Sequence, residues 1–139
     1  MYNCTGMADI VVDTSAILAV LLSEPERTQL IAVTAGATLC VPPSVPWEVG
    51  NALASLIKQR RLTALDARRI VRSYERIPLR EVGIDLGRAV QTAAELGLYA
   101  YDAYLLEAAR VRQCGLLTLD RTLTRAAQAA KVSVIEVPR

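Results

Sequence analysis

The chain contains no histidine. That absence removes Ser/His/Asp and Cys/His catalysis, HExxH zinc sites and every imidazole acid–base scheme. Cysteine is scarce: Cys4, Cys40 and Cys114 are an odd number without CxxC spacing. Neither a disulfide framework nor a thiolate zinc site is indicated, and the reduced thiols of a cytoplasmic protein are the simpler reading. Although 53% of the residues are apolar, no uninterrupted run approaches the roughly 18 that a membrane helix needs. Lysine is nearly missing too, with only Lys58 and Lys131. Neither GxGxxG nor GxxxxGK[ST] occurs, so dinucleotide and P-loop chemistry have no support.

What is present is arginine, apolar residues and acids. At 139 residues the expectation is one domain over 1–139, with 1–8 a flexible extension that lacks the charged start and apolar middle of a secretion signal. Fourteen arginines supply nearly all of the positive charge, yet the net charge is only +2. From Lys58 to Arg88, nine basic residues stand against Asp66, Glu75, Glu81 and Asp85. Guanidinium pairs bidentately with phosphate, which makes nucleic acid a candidate partner and Arg60, Arg61, Arg68 and Arg69 candidate RNA-binding residues. The bland alternative is a solvated helical face with i to i+4 ion pairs.

The organising stretch is Asp9-Ile-Val-Val-Asp-Thr-Ser-Ala16, a buried strand ending in Asp13 and followed at once by an apolar helix to Leu22. Ser23-Glu-Pro-Glu26 reads as a capping box opening a helix to about Val33, which Gly36 closes. Thr38 to Val41 reads as a strand. Ser44 caps a helix to about Arg60, with Glu48 in its first turn, and Thr63-Ala-Leu-Asp66 starts another, forming a helical hairpin. Leu79 to Val82 is a strand, Asp85 to Leu96 and Tyr101 to Gln113 are helices, and Asp102 sits in the first turn of the latter. Leu116 to Leu119 is a strand ending in Asp120, a helix spans about Thr122 to Ala130, and Val132 to Val137 is a fifth strand. Five strands separated by helices specify an α/β domain with a parallel sheet and three α/β/α layers.

In such a sheet every strand's carboxyl end and every following helix's amino end lie at one edge. Asp13 and Asp120 end strands while Glu48 and Asp102 begin helices, so all four acids gather at one rim if the first and fourth strands are neighbours. Singly, each has a structural excuse as a helix cap or a partner of the helix dipole. Together, crowded carboxylates repel unless a cation offsets them. All-oxygen donors without His or Cys point to Mg²⁺ or Mn²⁺, the ion of metal-dependent nucleases. A haloacid-dehalogenase phosphatase would need an aspartate where Ser15 stands, and a receiver domain would need a lysine after the last strand, where Pro138 and Arg139 stand.

Four motifs carry a resemblance over nearly the whole chain. Val12-Asp-Thr-Ser-Ala16, Glu48-Val-Gly-Asn-Ala-Leu53, Tyr101-Asp-Ala103 with Leu105, Leu106 and Ala108, and Leu117-Thr-Leu-Asp120 resemble the PIN-domain ribonucleases, especially VapC-like toxins of toxin–antitoxin pairs. The resemblance implies a five-stranded sheet of order 3-2-1-4-5 and metal-dependent cleavage of RNA. It matches Asp13, Glu48, Asp102 and Asp120 to the acidic quartet, with Asp13, Asp102 and Asp120 on the metal, and Ser15, Asn51 and Thr118 to supporting polar positions. Thr122 stands where some relatives carry a further acid. A small antitoxin lying over the helical hairpin, roughly Val49 to Tyr74, and a homodimer are also implied; the apolar first helix, Ala16 to Leu22, leaves surface for the dimer. The non-enzymatic alternative is a PIN-like RNA-binding or interaction module whose acids are idle.

Overall fold

Ile10, Val11 and Val12 are a continuous apolar run, and all three are buried, as expected of a central parallel strand covered on both faces. The computed structural model describes residues 8–138 and places them in β1 (Asp9–Val12), the strand at the middle of the sheet. Its neighbours are β2 (Thr38–Val41) and β4 (Gly115–Leu117), both parallel, with Ile10 opposite Leu39 on one side and Gly115 on the other. β3 (Leu79–Glu81) pairs in parallel with the outer edge of β2, so the order is β3-β2-β1-β4.

The helices are α1 (Thr14–Leu21), α2 (Arg27–Thr34), α3 (Val45–Lys58), α4 (Ala64–Glu75), α5 (Leu86–Leu96), α6 (Ala100–Arg112) and α7 (Arg121–Ala129). Right-handed crossovers put α1 to α4 on one face and α5 to α7 on the other, because the chain reverses direction between β1 and β4. In keeping with this, α1 packs on α2, α3 and α4, whereas α6 lies over β1, β2 and β4 with α5 behind it. The three-layer α/β fold with a parallel sheet is as expected.

Three local expectations are corrected. The fifth strand, Val132 to Val137, is reduced to one bridge, Val134 to Leu116, at the edge where it was expected. The Leu116 N–H donates to the Ser133 carbonyl (2.9 Å) and the Leu116 carbonyl accepts from Ile135 N–H (2.8 Å). The pairing is short: β4 ends at Leu117, two residues before the expected Leu119, and the next residue, Thr118, donates its hydroxyl to Asp13. Gly115 lies close to this segment: a Cβ on it would lie 2.8 Å from Ile135 Cδ1, so the Ile135 side chain would have to shift.

Ser23 does not open α2. It has φ 54° and ends α1, with Ser23 N–H donating to Val20 O and Glu24 N–H to Ala19 O, the hydrogen-bond pattern of a left-handed helix stop. α2 then starts at Arg27 behind Glu26, whose side chain makes no capping bond. Ser44 precedes α3 but does not cap it through its side chain, which is engaged by Glu48. The Thr63 cap does form, its hydroxyl accepting from Asp66 N–H at 3.1 Å. Residues 1–7 of the expected extension lie outside the described residues, and Ala8 already accepts a hydrogen bond from Thr38 N–H. Among the described residues no helix is long and apolar enough to cross a membrane.

Three ion pairs hold the second helical layer. Glu107 is 2% exposed and accepts from Arg110 Nη1 (2.7 Å) and Thr92 Oγ1 (2.9 Å), with Arg88 Nε 3.9 Å away, which ties α6 to α5. Arg112, at the end of α6, donates through Nε and Nη2 to the buried Asp9 that starts β1. Removing the cation from a buried pair leaves an uncompensated charge, which is more destabilising than loss of the contact alone. Arg110→Met is therefore expected to lower stability by roughly 2–3 kcal/mol, short of the fully enclosed case because water reaches the arginine. Urea denaturation checks it, and Glu107→Gln in the same chain should recover part of the loss.

Candidate active site

β1 delivers Asp13 to the point where the sheet reverses strand order, the place where open α/β sheets bind ligands. Its carboxylate is 4% exposed and has several donors. Ser15 Oγ donates to Oδ1 (2.8 Å) and Oδ2 (2.9 Å), Ala16 N–H donates to Oδ1 (2.9 Å), and the buried Thr118 hydroxyl donates to Oδ2. The same cluster closes on itself, since Leu119 N–H donates to Ser15 Oγ (3.2 Å) and Asp120 N–H to Thr118 Oγ1 (2.9 Å). Asp13 is thus both the N-cap of α1 and the hub that joins the ends of β1 and β4.

The other acids border this hub. Glu48, half-buried in the first turn of α3, accepts from Ser44 Oγ at 2.9 Å. Asp102 is half-buried in the first turn of α6. Asp120 is exposed and caps α7, accepting from Thr122 N–H (2.8 Å) and Leu123 N–H (3.2 Å). Asn51 is exposed one turn along α3 from Glu48.

Three of these carboxyls are held above the ordinary range. For Asp13 burial is the main cause; the hydrogen bonds from Thr118, Ala16 and Ser15 work against it, and the charge of Asp120 adds to it. For Glu48 burial again leads, offset by the Ser44 and Thr14 hydroxyls and reinforced by the charges of Asp13 and Asp102. For Asp102 burial comes first and the charge of Asp120 second. The four acids therefore feel one another, as the rim argument required.

They do not form a closed cage. Among the described residues no three Asp, Glu, Cys or His side chains converge closely enough to hold one ion, so Asp13, Asp102 and Asp120 stand around a mouth rather than at a single point. In donor type and charge the residues still fit a hard divalent cation. Mg²⁺ keeps several waters and is held by one or two carboxylates, so it does not require a cage.

Beside the acids lies a cleft of about 860 Å³ between α1 and α3, with Ser15 and Asp120 at one end and Gln59 and Arg61 at the other. Leu18, Leu22, Leu56 and Leu62 line it, as do Glu24 and Glu26. Arg60 and Arg61 are exposed in the α3–α4 turn and Arg68 and Arg69 are exposed on α4, so only Arg61 of the four reaches the cleft. Arg69 has an exposed partner, Asp66, at 3.8 Å. Sequence reasoning missed Ser44, read as a cap, as the group that orients Glu48; their i, i+4 spacing was the available signal.

The PIN domain family model matches residues 10–129. The chain belongs to the PIN-domain family. This PIN domain is 36% identical over 133 residues to a VapC ribonuclease of Mycobacterium bovis, covering 94% of this chain and 99% of that one, and equally to ribonuclease VapC9 of Mycobacterium tuberculosis. Its fold is that of VapBC2 from Rickettsia felis (TM-score 0.67, 10% identity, 94% of this chain and 99% of that one). The same fold occurs in VapC20 of Mycobacterium tuberculosis (TM-score 0.63, 16% identity, 93% and 99% covered).

The raised carboxyls of this PIN domain make its stability depend on pH with a defined sign. Asp13, Glu48 and Asp102 bind protons more tightly in the native state than in the unfolded chain. Acidification from neutrality toward the ordinary carboxylate range therefore protonates the native state first and stabilises it, and that stability is lost as pH rises through the raised values. Without divalent ions, Tm should rise between about pH 7 and about pH 5, and Asp13→Asn should flatten the rise. A Tm that falls steadily over that window in the unmodified chain contradicts the assignment.

Proposed function

We propose that this protein is a metal-dependent endoribonuclease and the toxin of a toxin–antitoxin pair, working in the cytoplasm. The observation that carries the reading is the gathering of Asp13, Glu48, Asp102 and Asp120 at the carboxyl edge of the sheet, each raising or raised by another. Similarity to VapC ribonucleases over almost the full chain supports it.

Asp13, Asp102 and Asp120, with Glu48 beside them, would hold Mg²⁺ or Mn²⁺. When bound, such an ion supplies activated water and neutralises charge on the phosphodiester. The chain's own contributions are distinct. Ser15 and Thr118 fix the Asp13 carboxylate in one orientation and keep it receptive to a cation, because both donate to it. Ser44 does the same for Glu48. Asp102 accepts no hydrogen bond among the described residues, which leaves its lone pairs for an ion or its waters. Asn51, exposed near Glu48, is our candidate for a contact with substrate.

Asp13→Asn keeps a side chain that caps helices as well as aspartate does, so the fold should survive while the charge is lost. Labelled RNA and DNA incubated with Mn²⁺ should show RNA cleavage by the unmodified protein and its loss in the variant. Mn²⁺ should also raise Tm in the unmodified protein only. Undiminished cleavage by Asp13→Asn would sink the assignment, and cleavage of DNA alone would change the substrate.

Four acids repel a polyanion, so flanking phosphates need cations, and Arg60, Arg61, Arg68 and Arg69 are our choice. Arg61 sits on the cleft that begins at Asp120, which gives the strand a path from the acids to the arginines. Charge reversal of the four should raise KM and flatten the salt dependence, which runs near 0.7 per neutralised phosphate for single strands. Unchanged affinity and slope would reduce them to solvated surface.

The antitoxin is placed in the same cleft. Val49 and Leu53 are buried in the core, so the apolar stripe of α3 is not a surface over the α3–α4 hairpin; Ala52 and Leu56 instead face α1 across the cleft. A partner segment seated there would exclude RNA, and an arginine on it could pair with the acids. In α1, Ala16, Ile17 and Ala19 are buried while Leu18, Val20 and Leu21 keep partial exposure. We propose a homodimer on exposed apolar surface, either Leu65 and Val71 of α4 on one helical layer or Val90 and Val111 of α5 and α6 on the other, and light scattering at micromolar concentration decides whether it forms.

A further inference from the structure

The chain has six aromatic residues: Trp47, Tyr2, Tyr74, Tyr99, Tyr101 and Tyr104. Four of them lie at the amino ends of α3 and α6, the two helices whose first turns carry Glu48 and Asp102. Three are left in water: Trp47 is 77% exposed, Tyr99 87% and Tyr101 56%. Tyr101 and Tyr104 meet edge to face, centroids 5.8 Å apart. Tyr104 and Trp47 then wall a shallow cleft of about 280 Å³ with Pro43, Ser44, Ile84 and Leu86. This cleft adjoins the acid site, because Ser44 on its wall donates to Glu48.

No charged side chain lines the cleft. It therefore has nothing for a phosphate and everything for a flat, uncharged, apolar-faced group. Large aromatic faces contribute most when something stacks on them, and an unstacked nucleobase fits that description. The apolar walls also suit a protein surface, but the direct adjacency to carboxylates that handle a phosphodiester favours the base attached to it.

We propose that the Trp47–Tyr104 cleft receives an unstacked base of the RNA beside the scissile phosphate. The proposal rests on the ribonuclease reading and adds the side chains that hold that base. Duplex RNA, whose bases are stacked and paired, cannot fill the cleft. Backbone phosphates are held elsewhere, by the arginines, while Trp47 and Tyr104 hold the base.

Trp47 is the sole tryptophan, so its fluorescence reports this cleft alone. The full chain carrying Asp13→Asn is titrated with a single strand of about twelve ribonucleotides and with an abasic strand of equal length. The base-bearing strand should quench Trp47 and the abasic one should not. In the cleavage assay, Trp47→Ala should raise KM about tenfold, the loss of one base–aromatic stack, with kcat little changed, and Trp47→Phe should restore most of it. Equal response to both strands, or an unaltered KM in Trp47→Ala, overturns the proposal. So does a Trp47→Ala variant that turns a dimer into a monomer without changing KM, which would give the face to a second copy. RNA cleavage by the unmodified chain without base-dependent quenching rejects only the stacking; no RNA cleavage rejects the ribonuclease reading with it.

Discussion

A carboxyl group buried at the carboxyl edge of the sheet is the constraint on which the rest depends. Asp13 has almost no contact with water, and burial of an unpaired charge is among the most unfavourable events in folding. It is tolerated because Ser15, Ala16 and Thr118 donate to it. These donors come from both sides of the strand-order reversal, so satisfying one carboxylate also fastens β4 to β1. Through Thr118 and Ser15 the cluster sets the backbone of Leu119 and Asp120 as well. The position of one acid of the rim is thereby tied to the solvation of another.

This arrangement explains why structural and functional readings of the acids are not rivals. Asp13 and Asp120 cap helices, Glu48 and Asp102 sit where helix dipoles favour negative charge, and each placement is locally stabilising. What local stabilisation does not remove is the repulsion among them and the loss of water. Those two effects hold Asp13, Glu48 and Asp102 above the ordinary range. The fold thus stores, at one edge, a demand for positive charge, and no arginine is among the groups that shift these three acids.

The surroundings divide the remaining work by polarity. On one side of the acids the cleft between α1 and α3 is amphipathic, with leucines, glutamates and Arg61. On the other side the Trp47 cleft is uncharged. A phosphodiester chain with its bases offers both kinds of surface in alternation, and a protein segment with apolar and cationic side chains matches only the first. On the proposed function, RNA and an antitoxin segment would overlap at the acids and at Arg61 without being recognised in the same way.

Much of this was legible in the sequence, for a physical reason: period and punctuation are local. The apolar run at Ile10 to Val12, the Thr63 cap and the order of strands and helices follow from short-range sterics and hydrogen bonding. Right-handed crossovers then force strand ends and helix starts to one edge, which is how four acids far apart in sequence could be collected beforehand. Only tertiary structure decided what depended on long-range competition. Ser44 had a choice between its helix and Glu48, and Ser23 became the left-handed stop of α1 because no glycine stood there. Thr118, just past the end of β4 at Leu117, gives its hydroxyl to Asp13, 105 residues away, and the fifth strand is a single bridge. The grouping of Trp47 with Tyr104 was likewise invisible, since nothing in either local pattern specifies which side chains meet across a sheet edge. A hydroxyl or an aromatic ring takes the partner that burial leaves available, and burial is a property of the whole chain.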